Sequence, residues 1–240
     1  MNIELSHLLW GVLGGAIVTL IFKLIEKYLD HFYFKDSLTA REKKLHYAKP
    51  FYLECNNLQF RLKVIEQQFE IQNSIILDNF RASLPAGPNY SWYASEGYYL
   101  SSTAYVLGCT LCWIKLFQRD VVFLRFRTKS ASTEFFNNIE KLHLALMTKN
   151  HIKYHYLISV GDNMIDSTTT RPMTFYTFCM KLQTDISFKE FHLPLLEFVK
   201  RFSEIENAEL IKETLQILAS IKIFLVKHGK IPESLNTPNL

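Results

Sequence analysis

Residues 97–114 read GYYLSSTAYVLGCTLCWI and contain no charged side chain. A helix that is apolar on nearly all sides is either the central helix of a bundle or a membrane span. Two serines and two threonines interrupt this stretch, which favours a helix buried in protein over one surrounded by lipid. We therefore expect residues 97–114 to form the core helix around which a bundle packs.

The composition agrees with a helical bundle. The 240 residues are 48% hydrophobic and 14% aromatic, with only 8 glycines and 7 prolines. A chain of this length can bury a core without disulfides or metals. A β-sandwich needs a turn residue every few positions, so the scarcity of glycine and proline argues against it. The net charge of +4 is too small for a dedicated nucleic-acid-binding protein. The predicted fold class is all-α.

A second uncharged stretch, residues 5–22, reads LSHLLWGVLGGAIVTLIF. As a helix it is roughly 27 Å long, close to the ~30 Å hydrocarbon core of a bilayer. All 27 lysines and arginines lie at or after Lys23, so the positive-inside bias orients such a helix with the N-terminus outside. The pattern predicts a single-pass anchor in a bacterial inner membrane, with the remaining chain in the cytoplasm. The alternative is a buried helix of a soluble protein. A cleaved signal peptide is not favoured, because such a peptide usually has basic residues before its apolar stretch and none precede this one.

This topology also bears on residues 97–114. A second crossing there would place the 17 basic residues from Lys115 onward outside, against the same bias. The expected division of the chain is a membrane anchor and juxtamembrane helix over 1–34, a cytoplasmic helical domain over 35–231 and a tail over 232–240. The lipid bilayer is therefore the first predicted partner.

Gly11 and Gly15 lie four residues apart within the predicted span. Small residues at this spacing allow two membrane helices to approach closely, so this face is a candidate for self-association into a homo-oligomer. Glycine is also common in membrane helices that do not associate. Both interpretations stay open from the sequence.

Local signals predict several helix boundaries. Pro50 is expected to start or kink a helix. Ser132-Thr133-Glu134 indicates a helix start, followed by an apolar stripe that includes Phe135 and Leu146. Ser187 and Glu190 match a capping box, but Pro194 suggests that the regular helix begins only there. The last helix is expected over 208–228, since a basic last turn and Gly229 follow it.

Few residue patterns point to chemistry. Cys109 and Cys112 form a lone Cys-x-x-Cys within the apolar stretch, where cysteine behaves as a small hydrophobe, so no metal or other cofactor is predicted. Arg41 and His46 fit the loose Arg-x4–6-His pattern of the HEPN ribonuclease superfamily, in which arginine stabilises phosphate charge and histidine moves a proton. One match to so loose a pattern is expected by chance. Arg41 and His46 are therefore weak catalytic candidates.

Four charged residues, Arg61, Glu96, Arg119 and Asp120, stand in otherwise apolar segments. We expect Arg61, Glu96 and Arg119 to be polar groups in the bundle core, where a buried or half-buried ion pair would fix the register of the helices. The functional alternative is a polar pocket inside the bundle.

The order of these features is similar to a family of uncharacterised bacterial proteins with a single membrane span and a cytoplasmic helical domain. The resemblance covers residues 45–165. It is carried by Leu58-x-x-Arg61-Leu62-x-x-Ile65 and by a long helix with Tyr98-Tyr99, Ser102-Thr103, Tyr105, Trp113, Arg119 and Phe123-Leu124. The chain departs from the family's pattern at Val160-Gly161-Asp162. The resemblance implies fold and topology, and no activity.

These observations predict a membrane-anchored helical scaffold that gathers partners, or copies of itself, at the inner face of the membrane. An enzymatic role is the less favoured class, and nucleic acid is not an expected partner. The first alternative is an oligomeric membrane-disrupting effector of the antiphage-defence type. The second is a membrane-tethered ribonuclease that uses Arg41 and His46.

Overall fold

The computed structural model describes Lys23 and residues 46–71, 74–81, 90–121, 129–148, 152–229 and 231. The chain divides between Lys43 and Lys44 into two units, and all described residues except Lys23 belong to the second. The boundary that we expected after residue 34 and the span over 5–22 lie outside the described residues, as do Gly11 and Gly15.

The second unit is a helical bundle, which confirms the all-α fold class. Its helices are α1 (46–68), α2 (Ile75–Arg81), α3 (Tyr90–Ala94), α4 (Tyr98–Val121), α5 (Lys129–Thr148), α6 (Tyr154–Asn163), α7 (Phe175–Thr184), α8 (Ile186–Lys200) and α9 (Ala208–Gly229). Two short 3₁₀ turns, Arg201–Ser203 and Ile205–Asn207, join α8 to α9. The sequence did not predict the small antiparallel hairpin of β1 (Ile165–Asp166) and β2 (Arg171–Pro172) between α6 and α7.

Helix α4 is the core helix of the bundle. It packs most extensively against α6 and also contacts α2, α3, α7, α8 and β2. By length and apolarity Tyr98–Arg119 would suffice to cross a membrane, yet 89% of its apolar window is buried inside the protein. Two of its hydroxyl groups bond within the helix, since Ser102 donates to the carbonyl of Tyr98 and Thr110 to that of Val106. Local bonding of this kind allows Ser102 and Thr110 to be buried without partners from other helices.

The glycine on α6 sets how closely α4 and α6 approach. A Cβ atom built on Gly161 would lie 2.7 Å from the carbonyl oxygen of Leu111, which belongs to the backbone of α4. Next to this contact, Lys115 and Asp162 form an ion pair at 3.2 Å. The two helix backbones therefore touch at a point where no side chain can be inserted.

Helix α8 contains a proline and is held by a hydroxyl from α6. Asp185 caps the helix by accepting a hydrogen bond from the amide of Phe188 at 3.0 Å, so the expected capping box at Ser187 is wrong, as is a helix start at Pro194. The Tyr156 hydroxyl donates to the carbonyl of Phe191 at 2.8 Å and accepts from the amide of Leu195 at 3.1 Å. These two backbone groups would pair with each other in a regular helix. The tyrosine thus bridges the helix beside Pro194.

We expect Tyr156→Phe to destabilise the bundle. The substitution removes one hydroxyl that serves two part-buried backbone groups, and each group left unsatisfied costs about 1–3 kcal/mol. Urea unfolding followed by far-UV circular dichroism measures the change. Tyr154→Phe on the same helix is the matched control, because the Tyr154 side chain is exposed and is expected to leave stability unchanged. Equal effects of the two substitutions would contradict the bridging role.

A polar clasp joins the first and last helices of the bundle. The Lys222 ammonium on α9 donates to the Asn56 carbonyl oxygen Oδ1 at 2.7 Å and to Gln59 Oε1 at 2.9 Å. The buried Gln59 amide in turn donates to the carbonyl of Leu215 at 3.0 Å, and Lys222 also lies over the ring of Tyr52. Burial lowers the pKa of the Lys222 ammonium. The clasp specifies the register of α1 against α9.

Candidate functional site

Only one of the two weak catalytic candidates lies among the described residues. His46 is exposed at the first described residue of α1, where its ring packs edge-on against Tyr47 at 5.1 Å. Arg41 lies outside the described residues, so the structure gives no geometry for the pair. The Arg-x4–6-His pattern stays a prediction from the sequence.

Arg61 is part-buried on α1 and binds aromatic rings. Its Nη2 donates to the hydroxyl of Tyr98 at 2.9 Å, and its guanidinium lies 5.0 Å from the ring centroid of Tyr98 and 5.5 Å from that of Tyr99. A guanidinium over an aromatic face is stabilised by the ring's quadrupole without a carboxylate partner. Arg61 is thus held by tyrosines and forms no ion pair with a described residue.

Glu96 and Arg119 do not lie in the bundle core. Glu96 is exposed in the turn between α3 and α4, where the amide of Gly97 bonds back to the carbonyl of Trp92 at 2.8 Å. Arg119 is exposed in the last turn of α4. Glu96 and Arg119 lie on either side of the buried part of α4. Their side chains reach water because they stand near the two ends of this helix. Because both side chains are exposed, the expectation that Glu96 and Arg119 are polar groups in the bundle core is wrong.

Next to Arg61 lies Tyr98, the first residue of what we call the aromatic surface, formed by Arg61, Tyr90, Tyr98, Phe175 and Tyr176 and linked through the consecutive residues Phe175 and Tyr176 of α7. The rings of Tyr98 and Phe175 are 6.2 Å apart and perpendicular, and those of Tyr90 and Tyr176 are 5.2 Å apart. The three tyrosines remain 37–57% exposed. The surface joins residues from four helices, and the sequence order alone does not bring them together.

This surface has the composition of a protein-binding site. Tyrosine and arginine are enriched in the residues that dominate the free energy of protein–protein association. Tyrosine contributes a large contact area at a small cost in side-chain entropy, and its hydroxyl remains available for hydrogen bonds. The rings are also held in place by one another before any partner arrives. The surface can thus bind a partner without first becoming ordered.

A buried histidine was missed by sequence reasoning. His192 on α8 is fully buried beside the rings of Phe178, Phe188 and Phe191, with 4.0 Å between its centroid and that of Phe188. Its Nδ1 bonds to the carbonyl of Phe188 at 2.9 Å, and Nε2 has no partner among the described residues. Burial in this apolar cage, with a smaller contribution from the nearby Lys181 charge, lowers the pKa of His192 to about 4. The ring is neutral at physiological pH.

We expect His192 to make the bundle less stable in mild acid. The unfolded chain binds a proton at a pKa near 6.5, whereas the folded chain does so only near 4. The contribution of His192 is complete above pH 6.5 and is lost as pH falls toward 4, by about 3 kcal/mol in total. Unfolding free energies measured from pH 7 to pH 4 test this. His192→Gln should flatten the profile, and the exposed His155→Gln should not; parallel profiles for the two variants would contradict the assignment.

Within the described residues, no group of three or more histidine, cysteine, aspartate or glutamate side chains is arranged to hold a metal ion. A surface groove of about 420 Å³ lies beside α5, α6 and the end of α4, lined by Phe136, His143, Leu144, Met147 and Tyr154 among others. Its side chains are mainly apolar, and burial lowers the pKa of His143. The groove brings no nucleophile and base together among the residues that line it.

Comparison with known proteins identifies no relative. No family model matches the chain, and no curated protein or solved structure matches it either. The resemblance carried by Arg61, Tyr98 and their neighbours therefore stays an expectation from the sequence. A function for this chain must be argued from the aromatic surface and from the uncharged stretch over residues 5–22.

Proposed function

We propose that this chain is a membrane-anchored helical scaffold that self-associates and gathers partners at the inner face of a bacterial plasma membrane. The observation that carries the proposal is the aromatic surface. Arg61 lies over the half-exposed Tyr98, and the half-exposed Tyr90 and Tyr176 pack against each other, on a bundle whose other aromatic side chains in the described residues are mostly buried or half-buried. Such a patch is typical of an interface.

The anchor in this proposal rests on the sequence. Residues 5–22 are uncharged, every basic residue follows them, and Gly11 and Gly15 provide a close-packing face. The division of the chain between Lys43 and Lys44 supports a separate helical domain after the anchor. In this arrangement the anchor confines the domain to the membrane surface, which raises its local concentration and favours weak contacts between copies.

Membrane fractionation tests the anchor. The full chain should remain in the membrane after alkaline carbonate extraction, and a C-terminal phosphatase fusion, which is active only outside the cytoplasm, should be inactive. Leu13→Lys/Ile17→Lys should release the chain, because each central lysine costs about 2.5–3.5 kcal/mol of insertion free energy. Ser37→Lys/Thr39→Lys adds the same charges after the stretch and should have no effect. A chain that is soluble before any substitution would contradict the proposal.

The same preparation separates the proposal from its two alternatives. A membrane-disrupting effector would form a ring-like oligomer and release ions or dye from liposomes. A tethered ribonuclease would cleave RNA, and His46→Ala would abolish the cleavage. A scaffold shows neither activity while it forms a discrete oligomer in mild detergent.

A further inference from the structure

One face of the bundle, shared by α1 and α9, combines basic side chains with exposed apolar ones. Asn56 locates this face on α1, because its side chain accepts a hydrogen bond from Lys222 of α9 at 2.7 Å. The other members on α1 lie seven residues before, four after and seven after Asn56, spacings that place them on the same side of the helix. On α9, two exposed residues four apart, the first of them next to Lys222, extend the surface. We call this the basic face, and it consists of Lys49, Phe60, Lys63, Lys222, Ile223 and Lys227.

All charges of the basic face have the same sign. The lysines at positions 49, 63 and 227 are exposed and form no ion pair with a described residue. Burial lowers the pKa of the Lys222 ammonium, and the nearby charge of Lys63 lowers it further, so these two cations lie close together. Within residues 46–63 of α1 and 214–228 of α9 the only carboxylate is that of Glu54, and its Oε2 is buried. The face therefore presents positive charge that no exposed carboxylate in these two stretches offsets.

The apolar members of the basic face stand between its lysines. Phe60 is 64% exposed, more than any other aromatic side chain among the described residues, and Ile223 is 68% exposed. Apolar side chains flanked by lysines are typical of a surface that lies on a bilayer. There the apolar groups enter the headgroup region, and the lysines approach the phosphates of anionic lipids. The composition of the face thus fits an anionic membrane surface.

The position of the face in the chain also favours lipid as its partner. Residues 23–45, which reach at most about 80 Å when fully extended, separate the predicted span over 5–22 from the described start of α1. The two helices are antiparallel, since Lys222 bonds to Asn56 whereas Gln59, further along α1, bonds to Leu215. Carboxylates collect where α1 ends and α9 begins, at Glu66, Glu70, Glu209 and Glu213. The acidic end of the helix pair is thus opposite the end at which the chain enters α1.

We propose that the basic face lies on the anionic phospholipid headgroups of the membrane that holds the predicted span. The proposal rests on the anchor in the proposed function and adds a second contact between the chain and the same bilayer. Each lysine near an anionic membrane surface favours binding about fivefold. The span keeps the bundle close to the bilayer, so that a contact too weak to recruit a soluble protein is sufficient here.

Quenching of a dye by the lipid tests the proposal. The full chain with Asn57→Cys, an exposed position three residues before Phe60, is labelled with bimane and reconstituted into vesicles that contain a headgroup nitroxide lipid. The four native cysteines are buried and do not take the label. Quenching should be several-fold stronger in vesicles of phosphatidylcholine with phosphatidylglycerol than in phosphatidylcholine alone. High salt should remove the difference, because the Debye length falls to about 3 Å at 1 M. The same dye at Ser187→Cys, exposed on α8, should not respond to lipid charge.

Charge reversals identify the residues that make the contact. Lys49→Glu/Lys63→Glu should abolish the difference between the two vesicles, because it removes roughly 25-fold of binding and adds repulsion. Lys153→Glu/Arg201→Glu changes the net charge equally at exposed positions on other elements and should preserve the difference. Phe60→Ser should weaken the quenching in anionic vesicles without removing its dependence on salt. Far-UV circular dichroism verifies that each variant is folded.

Two outcomes would overturn the proposal: equal quenching of the Asn57→Cys dye in neutral and anionic vesicles, or a difference that persists in Lys49→Glu/Lys63→Glu. A face that binds an acidic protein or a second copy instead of lipid gives the first of these outcomes. Flotation of the same vesicles tests the proposed function separately. A chain that floats with neutral vesicles but shows no dependence on lipid charge refutes only the contact of the basic face. A chain that does not float with neutral vesicles refutes the anchor.

Discussion

Gly161→Ala should destabilise the bundle by about 1–3 kcal/mol, the usual cost of forcing extra atoms into a packed core. The new Cβ would lie 2.7 Å from the carbonyl oxygen and 3.0 Å from the carbonyl carbon of Leu111. Those atoms belong to the backbone of the buried helix α4, so they cannot rotate aside as a side chain would. The helices must separate, which also weakens the Lys115–Asp162 ion pair beside them. Thermal or urea unfolding measures the loss.

Gly108→Ala on α4 is the matched control for this prediction. There the added Cβ would meet only the flexible side chain of Met164, at 3.1–3.3 Å. Methionine can adjust by rotation, and alanine is favoured over glycine inside a helix by up to about 1 kcal/mol. We therefore expect Gly108→Ala to be neutral or stabilising. If both substitutions cost the same, the close contact at Gly161 does not limit the packing of α6 on α4.

The four cysteines should react with a thiol reagent on the order of 10³-fold more slowly in the folded protein than free cysteine does at the same pH. All four are free thiols and all are buried. Burial raises the pKa of Cys112 and Cys179 to about 12 and also raises the pKa of Cys55 and Cys109. Because the thiolate is the reactive form, the thiols are protected both by their pKa and by their lack of access to solvent.

Labelling with an aromatic disulfide reagent tests this directly. The native chain should release almost no chromophore over minutes, and the unfolded chain should release four equivalents. Ser220→Cys places a thiol at an exposed position of α9 and should react at once, which verifies the assay. Rapid labelling of one native cysteine would contradict the burial. It would also reopen a reactive role for Cys109 and Cys112, which their apolar sequence surroundings argue against.

Regular helices with a clear apolar stripe were the predictable part of this fold. The last helix was expected over 208–228 and is observed over Ala208–Gly229. The stripe that includes Phe135 and Leu146 is buried as expected, although α5 begins at Lys129 rather than near Ser132. Periodicity determines which face of a helix is buried. The first residue of a helix depends on a single side chain, and neighbouring residues can often begin the helix equally well.

Contacts between distant segments were not predictable. Pro194 lies within α8 because the Tyr156 hydroxyl, which comes from a different helix, serves the backbone groups beside it. In the same way α1 is already helical at residue 46, so Pro50 does not begin it. Arg61 was singled out correctly as an unusual residue, but its partners proved to be tyrosine rings rather than a carboxylate. The sequence shows that a charged residue in an apolar segment needs a partner, but it does not show which helix supplies that partner.

The clasp between α1 and α9 has a consequence for the synthesis of this chain. Asn56 and Lys222 are 166 residues apart, which a ribosome needs roughly 10–30 seconds to translate. During that interval Gln59 and its apolar neighbours on α1, which are buried in the folded bundle, cannot yet pack against α9. The bundle therefore closes only after α9 has been translated. A message truncated before α9 would yield a nascent chain that cannot complete its core and is exposed to chaperones and proteases.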